Sequence, residues 1–519
     1  MQTFAVHRSQ TTSAQGMVAA QHLGAAQAGA RVLAEGGNAM DAAVVTALVL
    51  SVVEPWLSGI GGGGFLLHAD PATGQVDTLD FNVIAPGALN PADYPLVAGG
   101  GSNWFNWPTV LEDRNVSGYR SICVPGTVAG LAQALERFGT LSFAQALAPA
   151  IEQAHLGLDV DWFAGLALSI DAAGLAQYPA SADLFLDAGR APRVGDRPGA
   201  VRRAMRHKAQ TLERLAQAGA ADFYEGELAR KIVEDLQAGG SCINAADLKA
   251  YRPRWASSLF GDYRGHQVHV LPGLSGGPTL LRALQTLSQT PLNPSTPADL
   301  AATAYVASIR EAYDYRLQHM GHAATPQAGC TSHLSVVDRE GRMVSLTNTL
   351  LARFGSKVVL PQTGFLMNNG MMWFDPRPGQ PNSMAPGAKP LANMCPTLVV
   401  RDGAPWLAIG AAGGRTIVPA VLQLISHLVD RGMTLEQAFL TPRVEASTAR
   451  VNVSDRAPEG VAASLARQFE VAVVPDTVYP VQFAVPSAVM RAQGVNTGMA
   501  HHLHPWAGVA VAAQDNAQP

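Results

Sequence analysis

The sequence predicts a fold built from both α-helices and β-strands, because the chain contains segments with β-strand patterns as well as segments of helical periodicity. Residues 331–350 form the clearest strand pair, and helical patterns dominate from Leu131 to about Leu248. Of the 519 residues, 48% are hydrophobic and 15% are charged, which favours a compact globular enzyme over a disordered or fibrous chain. Length alone suggests about three or four domains, but layered folds of this size also form one unit.

The strand pair is predicted to be a β-hairpin with a tight turn. Polar and apolar residues alternate from His333 to Asp338, and the valines in this run favour an extended backbone. A turn follows at Asp338–Gly341, where glycine can take a positive φ. Met343–Leu350 then returns as the second strand.

Thr331 is the first residue of this hairpin, and the presence of a threonine there has two explanations. Threonine is β-branched and common in strands, so a structural role is the simpler explanation. The alternative is a nucleophile whose own α-amine becomes the base once the peptide bond before it is cut. The local spacing of residues does not decide between them.

Two helices are predicted in Gly24–Val53, where small and apolar residues recur at helical spacing. The glycines of Gly36–Asn38 end the first helix, and Asn38 is a suitable N-cap for the second. The glycine run Ile60–Phe65 indicates either close backbone packing or a phosphate loop. It lacks the GK[ST] ending of a phosphate loop, which favours packing.

Strands, loops and helices alternate through the rest of the chain. Leu66–Phe81 reads as two short strands, and Leu96–Ser117 is a long loop of the kind that often forms a lid. The aromatic residues of this loop would roof a pocket or pack on the surface: Trp104, Phe105 and Trp107. Further strands are predicted at Tyr263–Val270, Leu398–Val400 and Trp406–Ile409, and further helices at Pro278 and after Gly413-Gly414.

Several of these stretches are similar to one known family. Thr331–Asp338, with Thr347–Leu350 downstream, resembles the nucleophile hairpin of the gamma-glutamyltranspeptidase family. GGNAMDAAVVTALVLSVVEP followed by IGGGGF resembles the N-terminal signature of that family, and Val124–Leu131 matches a further segment. The resemblance covers nearly the whole chain and is weakest at residues 90–118, at residues 315–328 and towards the C-terminus.

The resemblance implies an N-terminal nucleophile hydrolase of the α+β class with a four-layer αββα sandwich. In that interpretation, the Cys330–Thr331 bond is cut, Thr331 is the nucleophile and Thr349 orients its hydroxyl group. Residues 1–330 and 331–519 would be the large and small subunits of one intertwined domain. The segment Leu317–Cys330 is shorter than the usual family connection, which leaves less chain to swing away after cleavage.

Amide hydrolysis by a threonine needs a base, a nucleophile and donors for the tetrahedral oxyanion. A freed Thr331 supplies the first two, because an α-amine titrates near pH ~8. Gly413 and Gly414 precede a predicted helix, where unpaired backbone N–H groups and the positive end of the helix dipole are available. Such a glycine pair is also an ordinary close-packing turn, but the resemblance favours an oxyanion site.

The resemblance aligns the substrate anchors of true transpeptidases with six different residues: Asn82, Leu351, Gly370, Trp373, Ala392 and Asn393. The family uses an arginine and two serines for the glutamyl α-carboxylate, and polar residues for the α-amino group. Without them, two buried charges would cost on the order of several kcal/mol each. We therefore expect poor turnover of γ-glutamyl compounds and a more apolar substrate. Arg353 and Arg415 are either carboxylate donors or structural arginines.

Composition argues against several classes of partner and cofactor. The net charge is −4 and neither end carries a basic run, so nucleic acid and anionic membranes are poor partners. The cysteines form no CxxC pair, and His501, His502 and His504 have no carboxylate or cysteine at ligand spacing, so we expect no metal or other cofactor. The apolar run 42–53 is too short to span a bilayer. Residues 1–16 contain no apolar signal region, and we expect a cytoplasmic protein.

The predicted function is hydrolysis of a small amide through an acyl-Thr331 intermediate, with acyl transfer left open. The alternatives are an oxamate-type amidohydrolase, an acylase for an apolar amide, and a genuine gamma-glutamyl hydrolase or transferase acting on glutathione. A different class of answer is an inert family member that binds a ligand without turnover. The expected partners are a small-molecule amide and the two subunits of one precursor, and a higher oligomer is left open.

Overall fold

The computed structural model describes residues 6–98, 107–322 and 332–513. Their strands form two seven-stranded sheets that pack face to face, and helices cover the outer face of each sheet. The predicted α+β class and four-layer αββα sandwich are therefore confirmed. None of the helices in this part of the chain has both the length and the apolar character needed to cross a membrane.

The strands are β1 (Thr11–Ser13), β2 (Met17–Ala20), β3 (Gly63–Asp70), β4 (Gln75–Asp80), β5 (Leu158–Asp159), β6 (Arg202–Arg203), β7 (Arg254–Ser257), β8 (Leu259–Tyr263), β9 (His266–Val270), β10 (Ser332–Val337), β11 (Met343–Thr349), β12 (Thr397–Arg401), β13 (Ala404–Ala412), β14 (Val444–Glu445), β15 (Val451–Ser454), β16 (Val471–Val474), β17 (Val485–Ala492), β18 (Val495–Ala500) and β19 (Gly508–Val511). The helices are α1 (Leu23–Ala34), α2 (Ala39–Val53), α3 (Thr127–Phe138), α4 (Phe143–Leu156), α5 (Trp162–Leu175), α6 (Pro179–Phe185), α7 (Arg206–Ala218), α8 (Asp222–Glu225), α9 (Glu227–Ala238), α10 (Ala245–Ala250), α11 (Gly277–Leu287), α12 (Ala298–His319), α13 (Ile417–Val429), α14 (Leu435–Leu440) and α15 (Val461–Leu465).

The two large sheets are antiparallel throughout. The first has the order β1-β18-β17-β13-β12-β9-β8, and the second has the order β19-β2-β10-β11-β3-β4-β7. Helices α1, α2 and α3 lie on the second sheet, and α11 and α13 lie on the first. Each sheet takes strands from both sides of residue 331, so a cut at that point would leave both fragments in both sheets.

The predicted hairpin lies at the centre of the second sheet. Its strands pair from Ser332 opposite Asn348 to Val337 opposite Met343, which confirms the hairpin for its described residues. Gly341 takes a φ of +91° in the turn. Both strands are buried along their whole length, because one face packs on the first sheet and the other on α2.

Two predicted features precede this hairpin: the cap at the start of α2 and the glycine run before β3. Asn38 caps α2 through a capping box with Asp41, as predicted. A Cβ on Gly62 would lie 1.9 Å from the Thr349 carbonyl oxygen, and one on Gly64 would lie 2.2 Å from the Thr347 carbonyl oxygen. The packing interpretation of the glycine run is therefore confirmed, since β3 must lie directly against β11.

Two sequence-based predictions need correction or fall outside the described chain. The single strand predicted at Tyr263–Val270 is wrong, because a turn separates β8 from β9. The turn residues Arg264 and Gly265 both have positive φ, at +53° and +78°. Trp107 is buried, and the other two aromatic residues of its loop, Trp104 and Phe105, lie outside the described residues.

Candidate active site

A cavity of about 210 Å³ lies at the edge of the sheets where β10 begins. Gln21 contributes to it from the end of β2, and Ala412 and Gly413 contribute from the end of β13. Val485 at the start of β17 and His501 after β18 complete this side. Because β10 runs antiparallel to β2, the end of β2 and the start of β10 meet at the same edge.

The walls of the cavity are mostly apolar. One face of α5 supplies four side chains at helical spacing, and the segment between β16 and β17 supplies the opposite wall. The apolar and aromatic lining residues are Trp56, Leu57, Phe163, Leu166, Ala167, Ile170, Val478, Tyr479, Val481, Phe483 and Leu503. Tyr479 and Val481 are 44% and 50% exposed, so they form the mouth, whereas Trp56 and Phe483 are buried.

Buried polar groups lie next to this cavity. Glu54, the residue after α2, is fully buried, and its Oε1 lies 3.4 Å from Nε2 of His504, which lines the cavity. Burial raises the pKa of the Glu54 carboxyl, and His504 and the Ser332 hydroxyl oppose that increase. Ser332 faces the carboxylate without reaching full hydrogen-bond geometry. Glu54 thereby connects the cavity to the first described residue of β10.

The Gly413-Gly414 pair forms a sharp turn beside the cavity. The two residues have φ values of +143° and +61°, and a Cβ on Gly413 would lie 2.8 Å from the Ala484 Cα. The sequence suggested that the glycine pair opens the helix directly. In the structure, Gly414 begins a 3₁₀ turn, Gly414–Thr416, and α13 starts after that turn at Ile417. The backbone N–H groups at the start of such a turn are available to an oxyanion. The proposed role in catalysis stays a prediction.

Thr349 is the last residue of β11 and adjoins Asn348, which pairs with Ser332. It is fully buried, and its Oγ1 accepts a hydrogen bond of 2.7 Å from the Leu351 N–H group. The predicted orienting hydroxyl therefore lies at the end of the hairpin where β10 starts. Cys330 and Thr331, the predicted cleavage site and nucleophile, lie outside the described residues.

The six residues that replace the family's substrate anchors are all buried in a packed region, and none of them lines the cavity. Leu351, Trp373 and Ala392 belong to one hydrophobic cluster. A Cβ on Gly370 would lie 2.5 Å from the Cys123 Sγ atom, so no room remains there. The other two positions are occupied by fully buried asparagines: Asn82 and Asn393. Contact of these six residues with substrate stays a prediction.

Of the two arginines considered as carboxylate donors, Arg353 lines the cavity and Arg415 does not. Arg353 forms an ion pair with Asp171 of α5. Arg415 is largely buried, which lowers the pKa of its guanidinium, and it donates to the Ser447 carbonyl oxygen. Both arginines thus have structural contacts, and only Arg353 is also placed to meet a ligand in the cavity.

Sequence reasoning missed several groups at this site. Gln21, Glu54 and the α5 wall were not identified, and His504 was considered only as part of a histidine cluster. In the structure His502 contacts Arg456, and His504 contacts Glu54. In the parts of the chain that the structure describes, no group of three or more His, Cys, Asp or Glu is arranged to hold a metal ion. A signal for Glu54 was present, because it is a carboxylate that directly follows an apolar helix.

Comparison with known proteins gives consistent matches. The family model described as Gamma-glutamyltranspeptidase matches residues 25–324 and 302–502. An Acylase ACY 1 proenzyme from Pseudomonas sp. (strain V22) is 34% identical over 500 residues, covering 89% of this chain and 88% of the relative. A Glutathione hydrolase proenzyme from Escherichia coli (strain K12) is 31% identical over 481 residues, covering 83% and 80%. The crystal structure of cephalosporin acylase from Bacillus halodurans superimposes with a TM-score of 0.83 at 26% identity, covering 98% of both chains.

Proposed function

The chain belongs to the gamma-glutamyltranspeptidase family, and from that membership we propose that it is a self-cleaving acylase for amides with a bulky apolar acyl group. It is an enzyme of a family whose matched members are named as acylase and glutathione hydrolase proenzymes. The observation that carries the choice of substrate is the apolar cavity beside the start of β10.

The proposed chemistry begins with cleavage of the Cys330–Thr331 bond. The freed α-amine of Thr331 takes the proton of its own hydroxyl group as Oγ attacks the amide carbon. Backbone N–H groups of Gly413 and Gly414 stabilise the oxyanion. The amine leaves with the proton, and water hydrolyses the acyl-Thr331 ester. Thr349 keeps the nucleophile oriented.

Two features support an apolar acyl group over a γ-glutamyl group. An apolar cavity of about 150 Å³ is large enough for benzene, so a cavity of about 210 Å³ accommodates an aromatic ring. Four of the positions that correspond to the family's zwitterion anchors are filled here, because Leu351, Trp373 and Ala392 lie in one hydrophobic cluster and a Cβ on Gly370 would meet Cys123. A zwitterion placed among them would leave its charges unpaired, at a cost on the order of several kcal/mol each.

An amide screen on the processed enzyme tests the proposal, with release of amine and ammonia as readouts and Thr331→Ala as the blank. We expect aryl and alkyl acyl anilides to be hydrolysed well above the blank. Ammonia release from oxamate, or efficient hydrolysis of glutathione, would instead favour one of the other amidohydrolase functions. Self-cleavage without turnover of any amide would indicate a ligand-binding protein and overturn the proposal.

A further inference from the structure

Arg353 places a positive charge in a cavity whose walls are otherwise mostly apolar. Among the described residues that line the cavity, no other is a lysine or an arginine. Its side chain is 32% exposed, and its Nε atom donates to a carboxylate oxygen of Asp171. A guanidinium has five N–H groups, and those on Nη1 and Nη2 have no acceptor in the described part of the chain. Arg353 can therefore still bind a ligand.

The charge of Arg353 is not cancelled by the carboxylates around it. Asp171 also accepts a hydrogen bond of 2.6 Å from Lys357 Nζ. Burial lowers the pKa of Lys357, and Asp171 opposes that decrease. The carboxylate that lines the cavity, Asp476, lies 3.6 Å from Nε of Arg456. One carboxylate thus serves two basic side chains, which leaves positive charge for an anionic group of the ligand.

The backbone on either side of Arg353 is fixed to the cavity wall. The Leu350 N–H group donates to the Leu57 carbonyl oxygen at 2.9 Å, and the Phe354 N–H group donates to the Trp56 carbonyl oxygen at 2.7 Å. Trp56 and Leu57 both line the cavity. The arginine is therefore held in place before a ligand arrives, which reduces the entropy that binding must cost.

Arg353 lies towards the mouth of the cavity and not in its buried part. Its guanidinium carbon is 5.9 Å from the centroid of the Tyr479 ring, and Tyr479 is one of the two exposed residues of the mouth. The apolar side chains of Trp56 and Phe483, in contrast, are buried. An apolar group that fills the buried part leaves the polar end of the same ligand near Arg353.

The order in which the products leave indicates which end of the substrate that is. In the proposed chemistry the amine departs first, while the acyl group stays attached to Thr331. The amine must then reach solvent through the mouth while the acyl group still occupies the cavity. The amine is therefore the part of the substrate that meets Arg353. A carboxylate on this amine suits a guanidinium, which binds it by charge-assisted hydrogen bonds.

Resting on the function proposed above, we propose that the substrates are N-acyl α-amino acids with an apolar acyl group, and that Arg353 binds the carboxylate of the leaving amino acid. Thr331 Oγ attacks the amide carbon, the C–N bond breaks, and the amino acid leaves with the proton of that hydroxyl group. Water then hydrolyses the acyl ester, which releases the apolar acid and restores the hydroxyl group. Arg353 takes no part in these bond changes and determines which amine is accepted.

Hydrolysis of N-phenylacetyl-L-alanine and of N-phenylacetyl-L-alaninamide by the processed full chain tests this inference, with release of phenylacetic acid as the readout. The two substrates are nearly equal in size, but the first has a carboxylate where the second has a neutral amide. The parent should hydrolyse the acid with a kcat/KM about tenfold to a hundredfold higher, as expected of hydrogen bonds to a charged group. In Arg353→Gln the two values should lie within about threefold of each other.

Two further variants separate recognition of the carboxylate from loss of packing. Arg353→Lys keeps the charge but not the planar fork, so it should show a preference between those of the parent and Arg353→Gln. Arg214→Gln is the matched control, because Arg214 is 41% exposed, pairs with Asp222 and does not line the cavity. It should keep the parental ratio of the two substrates. Thermal unfolding shows whether each variant is folded.

The outcomes separate this inference from the proposed function. Equal kcat/KM for the acid and the amide in the parent, or the parental preference in folded Arg353→Gln, would overturn the inference and leave the function standing. A loss in Arg353→Gln that is confined to 4-carboxyphenylacetyl anilide would show that Arg353 binds the acyl group, and would also overturn it. No release of phenylacetic acid from any of these amides or from phenylacetyl-p-nitroanilide would instead remove the function itself.

Discussion

Two regions near the start of β10 differ in how they are filled. The cavity beside α5 is open to solvent through Tyr479 and Val481, and its walls are apolar. The region that holds the six replaced anchor positions is closed, and Trp373 within it is fully buried. The difference supports the proposal that the substrate binds in the apolar cavity and not in the closed region.

Arg316 is a cation at the closed region, and its described contacts are with the protein itself. Its side chain is fully buried. The Arg316 Nη2 atom donates to the Ala392 carbonyl oxygen at 3.2 Å and to Asn393 Oδ1 at 3.1 Å. Its Nη1 atom donates to Thr279 Oγ1 at 2.7 Å. The arginine thus holds the chain around residues 392–393 in place.

The largest expected effect is that of Thr331→Ala, which removes the predicted nucleophile. We expect the precursor to remain one band on a denaturing gel and hydrolysis to fall about ten-thousandfold or more. The parent should give two fragments, with threonine at the new N-terminus. Thr331→Ser, which keeps a hydroxyl nucleophile, is the control and should still cleave. A Thr331→Ala chain that is cut like the parent would show that the nucleophile is misassigned.

Gly414→Val tests whether the turn beside the cavity supplies the oxyanion donors. Gly414 has a φ of +61°, so a β-branched residue would distort the turn, and we expect about a hundredfold loss of kcat. Gly432→Val is the matched control, because Gly432 has a φ of +60° and open space around it. It should lose stability and keep its activity. Equal kcat in the two folded variants would remove the turn from the mechanism.

Phe483→Ala removes one apolar wall of the cavity and leaves the closed region unchanged. Phe483 is 4% exposed and lines the cavity, and its loss should cost about tenfold or more in kcat/KM for an aryl acyl amide. An acetyl amide should be much less affected, because it does not reach the wall. Phe439→Ala removes an equally buried ring elsewhere in the core and should leave the ratio of the two substrates unchanged. An unchanged ratio in Phe483→Ala would show that the acyl group binds elsewhere.

Restoring the two serines of true transpeptidases should have the smallest effect on activity. In Ala392→Ser combined with Asn393→Ser, we expect γ-glutamyl turnover to rise by no more than about threefold, because the surrounding side chains still fill the pocket. Each buried hydroxyl without a partner should cost about 1–3 kcal/mol of unfolding free energy, measurable as a lower Tm. A gain of about a hundredfold would mean that the closed region opens readily.

Local patterns in the sequence predicted those parts of the fold whose stabilising contacts join residues that are close together in the sequence. The hairpin follows from alternation around His333, and the start of α2 follows from the capping residue Asn38. The split between β8 and β9 was missed, although Gly265 marked the turn. The cavity could not be predicted, because its walls come from segments far apart in the chain, such as α5 and residues 476–483.

The most direct test of the altered pocket compares two substrates with the same leaving group on the processed enzyme. Phenylacetyl-p-nitroanilide should be hydrolysed with a kcat/KM about ten-thousandfold higher than that of γ-glutamyl-p-nitroanilide, because the open pocket is apolar and the zwitterion lacks its partners. Equal values of kcat/KM for the two substrates would contradict the proposal that the substrate binds in the apolar cavity and not in the closed region. So would a kcat/KM on the γ-glutamyl compound that is typical of an efficient enzyme.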